Sequence, residues 1–167
     1  MVRNGLPTTV MLRDLVEEVM DGGWPGTEAE LDAFLGELRL TRADTLPGYP
    51  GRAFRLTGER ELDASFVLAH TYDGALVGLH ILGNGMAQDV QRVCGEMSAD
   101  LTEVHGPPRK DYDRRRPPSE ASHWLVGPAR ISVYCHADYQ SAAMTLQLAL
   151  EHVERTDQAE DDFLTEA

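Results

Sequence analysis

Six histidines, His70, His80, His105, His123, His136 and His152, are the side chains of this 167-residue chain best suited to proton transfer or metal ligation. His70 and His80 belong to two facing runs, residues 62–71 (LDASFVLAHT) and 75–82 (ALVGLHIL), that meet at Tyr72-Asp73-Gly74. An Asp-Gly pair between β-rich runs marks a two-residue hairpin, because both central residues must accept positive φ. If Asp73-Gly74 closes that loop, Tyr72 opposes Ala75, His70 opposes Val77 and His80 opposes Val67, so the two imidazoles are not expected to pair. A zinc site would need a third and a fourth ligand that the spacing does not supply. Cys135 and His136 are adjacent, and adjacent strand residues point to opposite faces, which prevents chelation by that pair. We expect ordinary strand histidines and no metal site.

Nucleophiles and ligand loops fare no better. Cys94 sits on the apolar stripe of a helical pattern with no cation close in sequence to lower its pKa, so it reads as a small buried hydrophobe. Cys135 is in a strand-end position, but a Cys-His hydrolase also needs a base and an oxyanion hole. Two cysteines this far apart fit neither a disulfide framework nor a metal cluster, and reduced thiols are expected. Gly83-Asn84-Gly85 precedes a helix yet lacks the Lys-Ser/Thr ending of a Walker loop and the third glycine of a Rossmann loop, so it reads as a strand-to-helix turn. No Gly-x-Ser-x-Gly elbow occurs. No catalytic residue, cofactor or metal is assigned. A small-molecule-binding or enzymatic α+β domain, with a pocket beside His70, His80 or Cys135, stands as an alternative that clustered histidines would favour.

The elements that position these residues follow from periodicity. Met11, Leu12, Leu15, Val16 and Val19 recur at helical steps until Asp21-Gly22-Gly23. Thr27 and Glu30 form a capping-box pattern that opens a second helix to about Leu38, with Leu31, Phe34, Leu35 and Leu38 on one stripe and Trp24 packed at the corner. Residues 46–51 are a Pro/Gly connector, and residues 53–57 join the opening hairpin in a three-stranded meander. Both faces of that meander are apolar: Phe66, Leu68 and His70 share one, and Val67, Ala69 and Thr71 the other. One face should rest on helices, the other on a loop, a terminal segment or a partner. A third helix spans residues 86–104, with Val90, Val93, Cys94, Met97, Leu101 and Val104 inward, and His105-Gly106-Pro107-Pro108 ends it. Residues 109–116 hold five of the fifteen cations between two Pro-Pro pairs and read as an exposed loop. Residues 123–126 and 129–136 flank Gly127-Pro128 as a second hairpin. Residues 144–152 alternate as a strand, although Leu146, Leu150 and Val153 also satisfy helical spacing, so residues 142–154 stay open between strand and helix.

Together these elements predict an α+β fold: an antiparallel sheet of about six strands in two three-stranded meanders, two N-terminal helices and one long central helix, in the order ααβββαβββ. Residues 1–154 form one domain with an Arg/Pro-rich loop at 105–120, and residues 155–167 an acidic tail. The 28 acidic and 15 basic residues leave a charge of -13, which argues against nucleic acid or an anionic membrane as partner and for a basic protein. Residues 1–7 lack the apolar stretch of a signal peptide, so a cytoplasmic protein, monomer or homodimer, is expected. Fourteen of the fifteen cations are Arg, a bias that points to a GC-rich, actinobacterial type of source.

Trp24 in the helical start, the Phe66-Val67-Leu68 strand, Gln91 in the long helix, Gly106-Pro107-Pro108 after it, Trp124 in the next hairpin and the acidic end resemble a family of small actinobacterial proteins whose members look like polymorphic-toxin immunity proteins. The element order is also similar to type III secretion chaperone-like folds. The resemblance implies a non-catalytic, acidic protein-binding domain, an immunity protein that occludes a basic toxin or effector, or else a secretion-chaperone-like binder. Asp157, Glu160, Asp161 and Asp162 are the expected protein-binding carboxylates, with Glu17 and Glu18 of the first helix beside them. The Arg-rich segment between Pro108 and Pro117 departs from the family pattern.

Overall fold

Thr8 starts the first helix by accepting the Met11 N–H at 3.3 Å, and α1 (Thr9–Asp21) buries Leu12, Leu15, Val16 and Val19. The computed structural model describes residues 5–47, 51–60, 66–112, 119–137 and 143–166. Helix α2 (Glu28–Glu37) is capped by Thr27, whose hydroxyl accepts the Glu30 N–H at 3.2 Å. The Glu30 carboxylate reaches back to the Gly26 N–H at 2.7 Å, one residue earlier than a capping box requires. Arg39, at φ 59°, turns the chain directly from α2 into a strand.

Eight strands follow in two sets of four, β1 (Leu40–Pro47), β2 (Arg52–Gly58), β3 (Phe66–Tyr72) and β4 (Ala75–Met86), then, after α3 (Ala87–His105), β5 (Arg109–Tyr112), β6 (Ser119–Val126), β7 (Ala129–Ala137) and β8 (Ala143–His152). Helix α4 (Val153–Glu166) closes the order. All strand pairs are antiparallel in one sheet ordered β1-β2-β3-β4-β8-β7-β6-β5, so two helices precede the first four-stranded meander and one helix the second, and the halves join where β4 meets β8. The α+β class with an antiparallel sheet holds. The strand count is eight rather than about six, and the helices number four rather than three.

The two extra strands are the sheet's edges, and their chemistry explains why the sequence pattern does not mark them as strands. β1 and β5 are the outermost strands, and their sequences, LTRADTLP and RKDY, carry the charges that discourage further strand addition. Arg109 and Lys110 therefore belong to a strand, whereas residues 113–118 of the expected Arg/Pro loop lie outside the described residues. Gly83-Asn84-Gly85 do not break β4: they pair with Leu146, Thr145 and Met144. A Cβ at Gly83 would meet Pro7 Cδ at 2.7 Å, because the N-terminal segment crosses there and the Gly5 carbonyl accepts the Asn84 N–H at 2.9 Å. Residues 144–152 are strand. Val104, expected inward, is 72% exposed in the last turn of α3.

One sheet face makes the core. Leu79 and Ile81 of β4, Leu146, Leu148 and Leu150 of β8, and Ile131, Val133 and Cys135 of β7 alternate inward and pack with the apolar stripes of α1, α2 and α3. The acidic segment expected as a tail is helical: α4 buries Ala159, and Arg155 donates to the carbonyls of Trp24, Pro25 and Leu76 at 3.1, 2.7 and 3.0 Å. Trp24 sits against this junction, edge-on to His152 at 5.6 Å. Among the described residues no helix is long and apolar enough to cross a membrane.

Candidate functional site on the uncovered sheet face

Helices α1–α3 cover one face of the sheet, and the alternate residues of the same strands form the other, which among the described residues none of these three helices covers. The hairpin turn is as the sequence predicts, with Asp73 at φ 49° and Gly74 at φ 77°. Tyr72 opposes Ala75 and Thr71 opposes Leu76, but a bulge at Val77 then shifts the register, so that His70 faces Gly78 and His80 faces Leu68. One extra residue on one strand moves every later side chain relative to its partners. The expectation that His70 and His80 do not pair is therefore overturned: their rings stack at 4.8 Å between centroids. Burial, and then the neighbouring His80, lower the pKa of His70.

Glu151 of β8 is the hub of this face. Its side chain is 19% exposed, with His80 Nε2 at 3.4 Å on one oxygen and Arg130 of β7 donating to the other at 2.6 Å. The hydrogen bond from His80, and behind it that from Arg130, outweigh burial and pull the carboxyl down to about 2. Gln147 Nε2 approaches His80 Nδ1 at 3.4 Å, which fits the tautomer with the proton on Nε2. Gly78 makes room for this: a Cβ there would lie 3.3 Å from Glu151 Cγ and 3.4 Å from His80 Nε2.

Beside that hub, His123 of β6 joins Ser132 Oγ at Nδ1 (2.7 Å) and Asp111 at Nε2 (3.1 Å). The connectivity is that of a Ser-His-Asp relay. However, β7 lies between β6 and β8, so the amides around Ser132 are committed to the ladder and cannot serve as oxyanion donors. Arg130, Ser132, Tyr134, Gln147 and Glu151 line a shallow cavity of about 230 Å³ together with His123. The face continues into half-buried apolar residues: Phe66 opposes Leu82, Leu68 is next along β3, and the Arg55 guanidinium covers the Phe66 ring at 4.9 Å. The His136 ring lies tilted against Tyr134 at 4.8 Å between centroids, its pKa lowered by burial.

The carboxylates chosen from sequence are elsewhere. Glu17 is exposed on α1, while Glu18 accepts from Arg60 at 2.7 and 2.9 Å, which lowers its pKa. Asp157, Glu160 and Asp161 are exposed on α4. Asp162 accepts from Tyr72 Oη at 2.9 Å and from Gln158 at 2.8 Å, and the carboxylate pushes the Tyr72 phenol up to about 12. No described contact joins the α1 pair to the α4 group. Sequence reasoning missed Glu151, Arg130, Ser132 and Gln147. Their signal was the polar half of the alternation in β7 and β8, opposite the leucines that mark the core.

On the covered side, the two cysteines are not separate thiols. α3 lies over β7, and Cys94 and Cys135 are joined as a disulfide with Cα atoms 6.7 Å apart. The bond lines a second cavity of about 450 Å³. Among the described residues no group of three or more His, Cys, Asp or Glu is placed to hold a metal ion. Compared with known proteins, no family model matches the chain, and neither a curated protein nor a solved structure matches it.

Proposed function

We propose that this chain is a non-catalytic, acidic protein-binding domain of the immunity type, which occludes a basic toxin or effector through the uncovered face of its sheet. The supporting observation is the band formed by Phe66, Leu68 and Leu82, half-buried and apolar, running on through the stacked His70 and His80 to Gln147 and Tyr134. Apolar and aromatic groups ringed by polar ones are the composition of an interface core. The charge of -13, to which the exposed Asp157, Glu160 and Asp161 of α4 contribute, would speed the encounter with a cationic partner. A secretion-chaperone-like binder would use the same face for an extended segment rather than a folded toxin.

The histidine cluster favours a second reading, a small-molecule site centred on Glu151. Its cavity, about 230 Å³, falls below the roughly 300–1,000 Å³ usual for ligand pockets, which weighs against a small molecule at that face. The deciding experiment is a kinetic binding titration, at low and at high salt, with any basic polypeptide found to be encoded beside this chain in its host. Leu68→Glu with Leu82→Glu should weaken binding more than about tenfold, as expected for interface-core residues. Asp157→Asn with Glu160→Gln and Asp161→Asn should slow association at low salt while leaving dissociation nearly unchanged. Binding that survives the leucine changes, or no binding at low salt, overturns the proposal.

A further inference from the structure

The cavity under α3 has a disulfide in its wall. Gln91, Cys94, Gly95 and Ser98 come from α3, Lys110 from β5, Glu120 and Ser122 from β6, and Cys135 from β7. Its volume of about 450 Å³ lies within the range of small-molecule sites. The cysteines are each 9% exposed, while Val93, Met97, Val133 and Met144 around them are between 1% and 3% exposed. The bond therefore sits at the boundary of the core and faces the cavity. Access decides whether a disulfide exchanges with thiols, and a sealed bond does not react until the protein opens.

We propose that Cys94–Cys135 is a thiol–disulfide exchange site whose co-reactant is a low-molecular-weight thiol admitted by this cavity. A thiolate, RS⁻, attacks one protein sulfur, forming an RS–S(Cys) bond and breaking the Cys94–Cys135 bond; the second cysteine leaves as a thiolate and takes a proton from water. A second thiol attacks the mixed disulfide, releasing RSSR and the other cysteine thiol. The protein gains two electrons and two protons, and two RSH become RSSR. Lys110 and Glu120, paired at 2.8 Å, both line the cavity and give it one ammonium and one carboxylate for a charged thiol to meet. The polar groups Gln91, Ser98, Ser122 and Glu120 suit a thiol that carries amide, ammonium or carboxylate groups. Reduction removes the one side-chain cross-link between α3 and the sheet among the described residues.

The test uses the full-length oxidised protein with glutathione as the probe. Acid-quenched samples should show the mass of a single glutathionyl adduct and then of the dithiol, at a rate proportional to thiolate concentration and unchanged by low urea. Gly95→Trp supplies the control: outside its own stretch of helix no atom lies within 4 Å of a Cβ at Gly95, so the substitution begins in open space on the cavity wall, where the indole should obstruct the cavity. It should slow exchange at least about tenfold with an unchanged melting temperature. Two free thiols in protein prepared under oxidising conditions would overturn the proposal, as would exchange that proceeds only at the global unfolding rate, or Gly95→Trp reacting as fast as wild type.

Discussion

Replacing Glu151 with Gln keeps the shape of the hub on the uncovered face and removes its charge. The carboxyl is held at about 2, against an ordinary 4.5, by His80 first and Arg130 second. At about 1.4 kcal/mol per pKa unit, that difference corresponds to about 3 kcal/mol of stabilisation at neutral pH. The side chain is 19% exposed, so solvent screening leaves most of it intact. The folded-state pKa is depressed, so the contribution is complete above the unfolded value and is lost as pH falls towards the folded one. It amounts to about 3 kcal/mol near pH 7 and about 1.4 kcal/mol near pH 3. Glu151→Gln should therefore lower stability by about 2–3 kcal/mol near pH 7, since the amide still accepts hydrogen bonds but leaves Arg130 without its counter-charge. Urea denaturation of both proteins across this pH range is the assay. A cost below about 0.5 kcal/mol near pH 7 would refute the charged hub, and a cost that is undiminished near pH 3 would show that packing rather than charge was removed.

Gly78→Ala places a Cβ 3.1 Å from the Leu150 carbonyl and 3.4 Å from His80 Nε2, and should cost about 1–2 kcal/mol while shifting the His80 ring resonances in NMR spectra. Unmoved resonances would show that His80 does not depend on that gap. Arg155→Met removes donors from three carbonyls at the junction of α4 with the helical start, and should cost about 2 kcal/mol in urea unfolding and change Trp24 emission. An unchanged stability would mean that water replaces the guanidinium without loss. Trp124→Phe keeps an aromatic ring in the core but leaves the Gly106 carbonyl without its 3.0 Å donor, so it should destabilise by about 1–2 kcal/mol, and retention of full stability would count against that bond.

The core face was legible because its signal is redundant. Leu146, Leu148 and Leu150 alternate on one strand, Leu12, Leu15, Val16 and Val19 repeat on one helix, and either pattern suffices to orient its element. The edge strands were not legible, since an edge must look unlike a strand to avoid recruiting another. The histidine stack was lost through a different cause. Alternation and an Asp-Gly turn fix the register only as far as the first bulge, and Val77 supplies one, so two residues judged apart are stacked. Similarly, no local pattern connects Cys94 to Cys135, which are 41 residues apart; only the seating of α3 on β7 brings them together. Glu151 was hidden because a single carboxylate in an alternating strand looks like a solvent position until its two donors, His80 and Arg130, are known.

The proposed docking face and the proposed exchange site share strand β7 but not chemistry. Cys135 points to α3, while its neighbours Tyr134 and His136 lie on the opposite face with their rings tilted together at 4.8 Å. Side-chain contacts therefore do not pass between the two sites, and only the backbone of β7 joins them. That backbone is held on both sides, by eight register pairs to β6 and nine to β8. A strand restrained in this way resists displacement when one sulfur–sulfur bond on one face is cut. Reduction should accordingly loosen α3 without reshaping the band from Phe66 to Tyr134. Partner affinity measured for the disulfide and dithiol forms would then be the same, and the two proposals can fail independently: loss of partner binding in both forms indicts the docking face, whereas inert sulfur in a binding-competent protein indicts the exchange site.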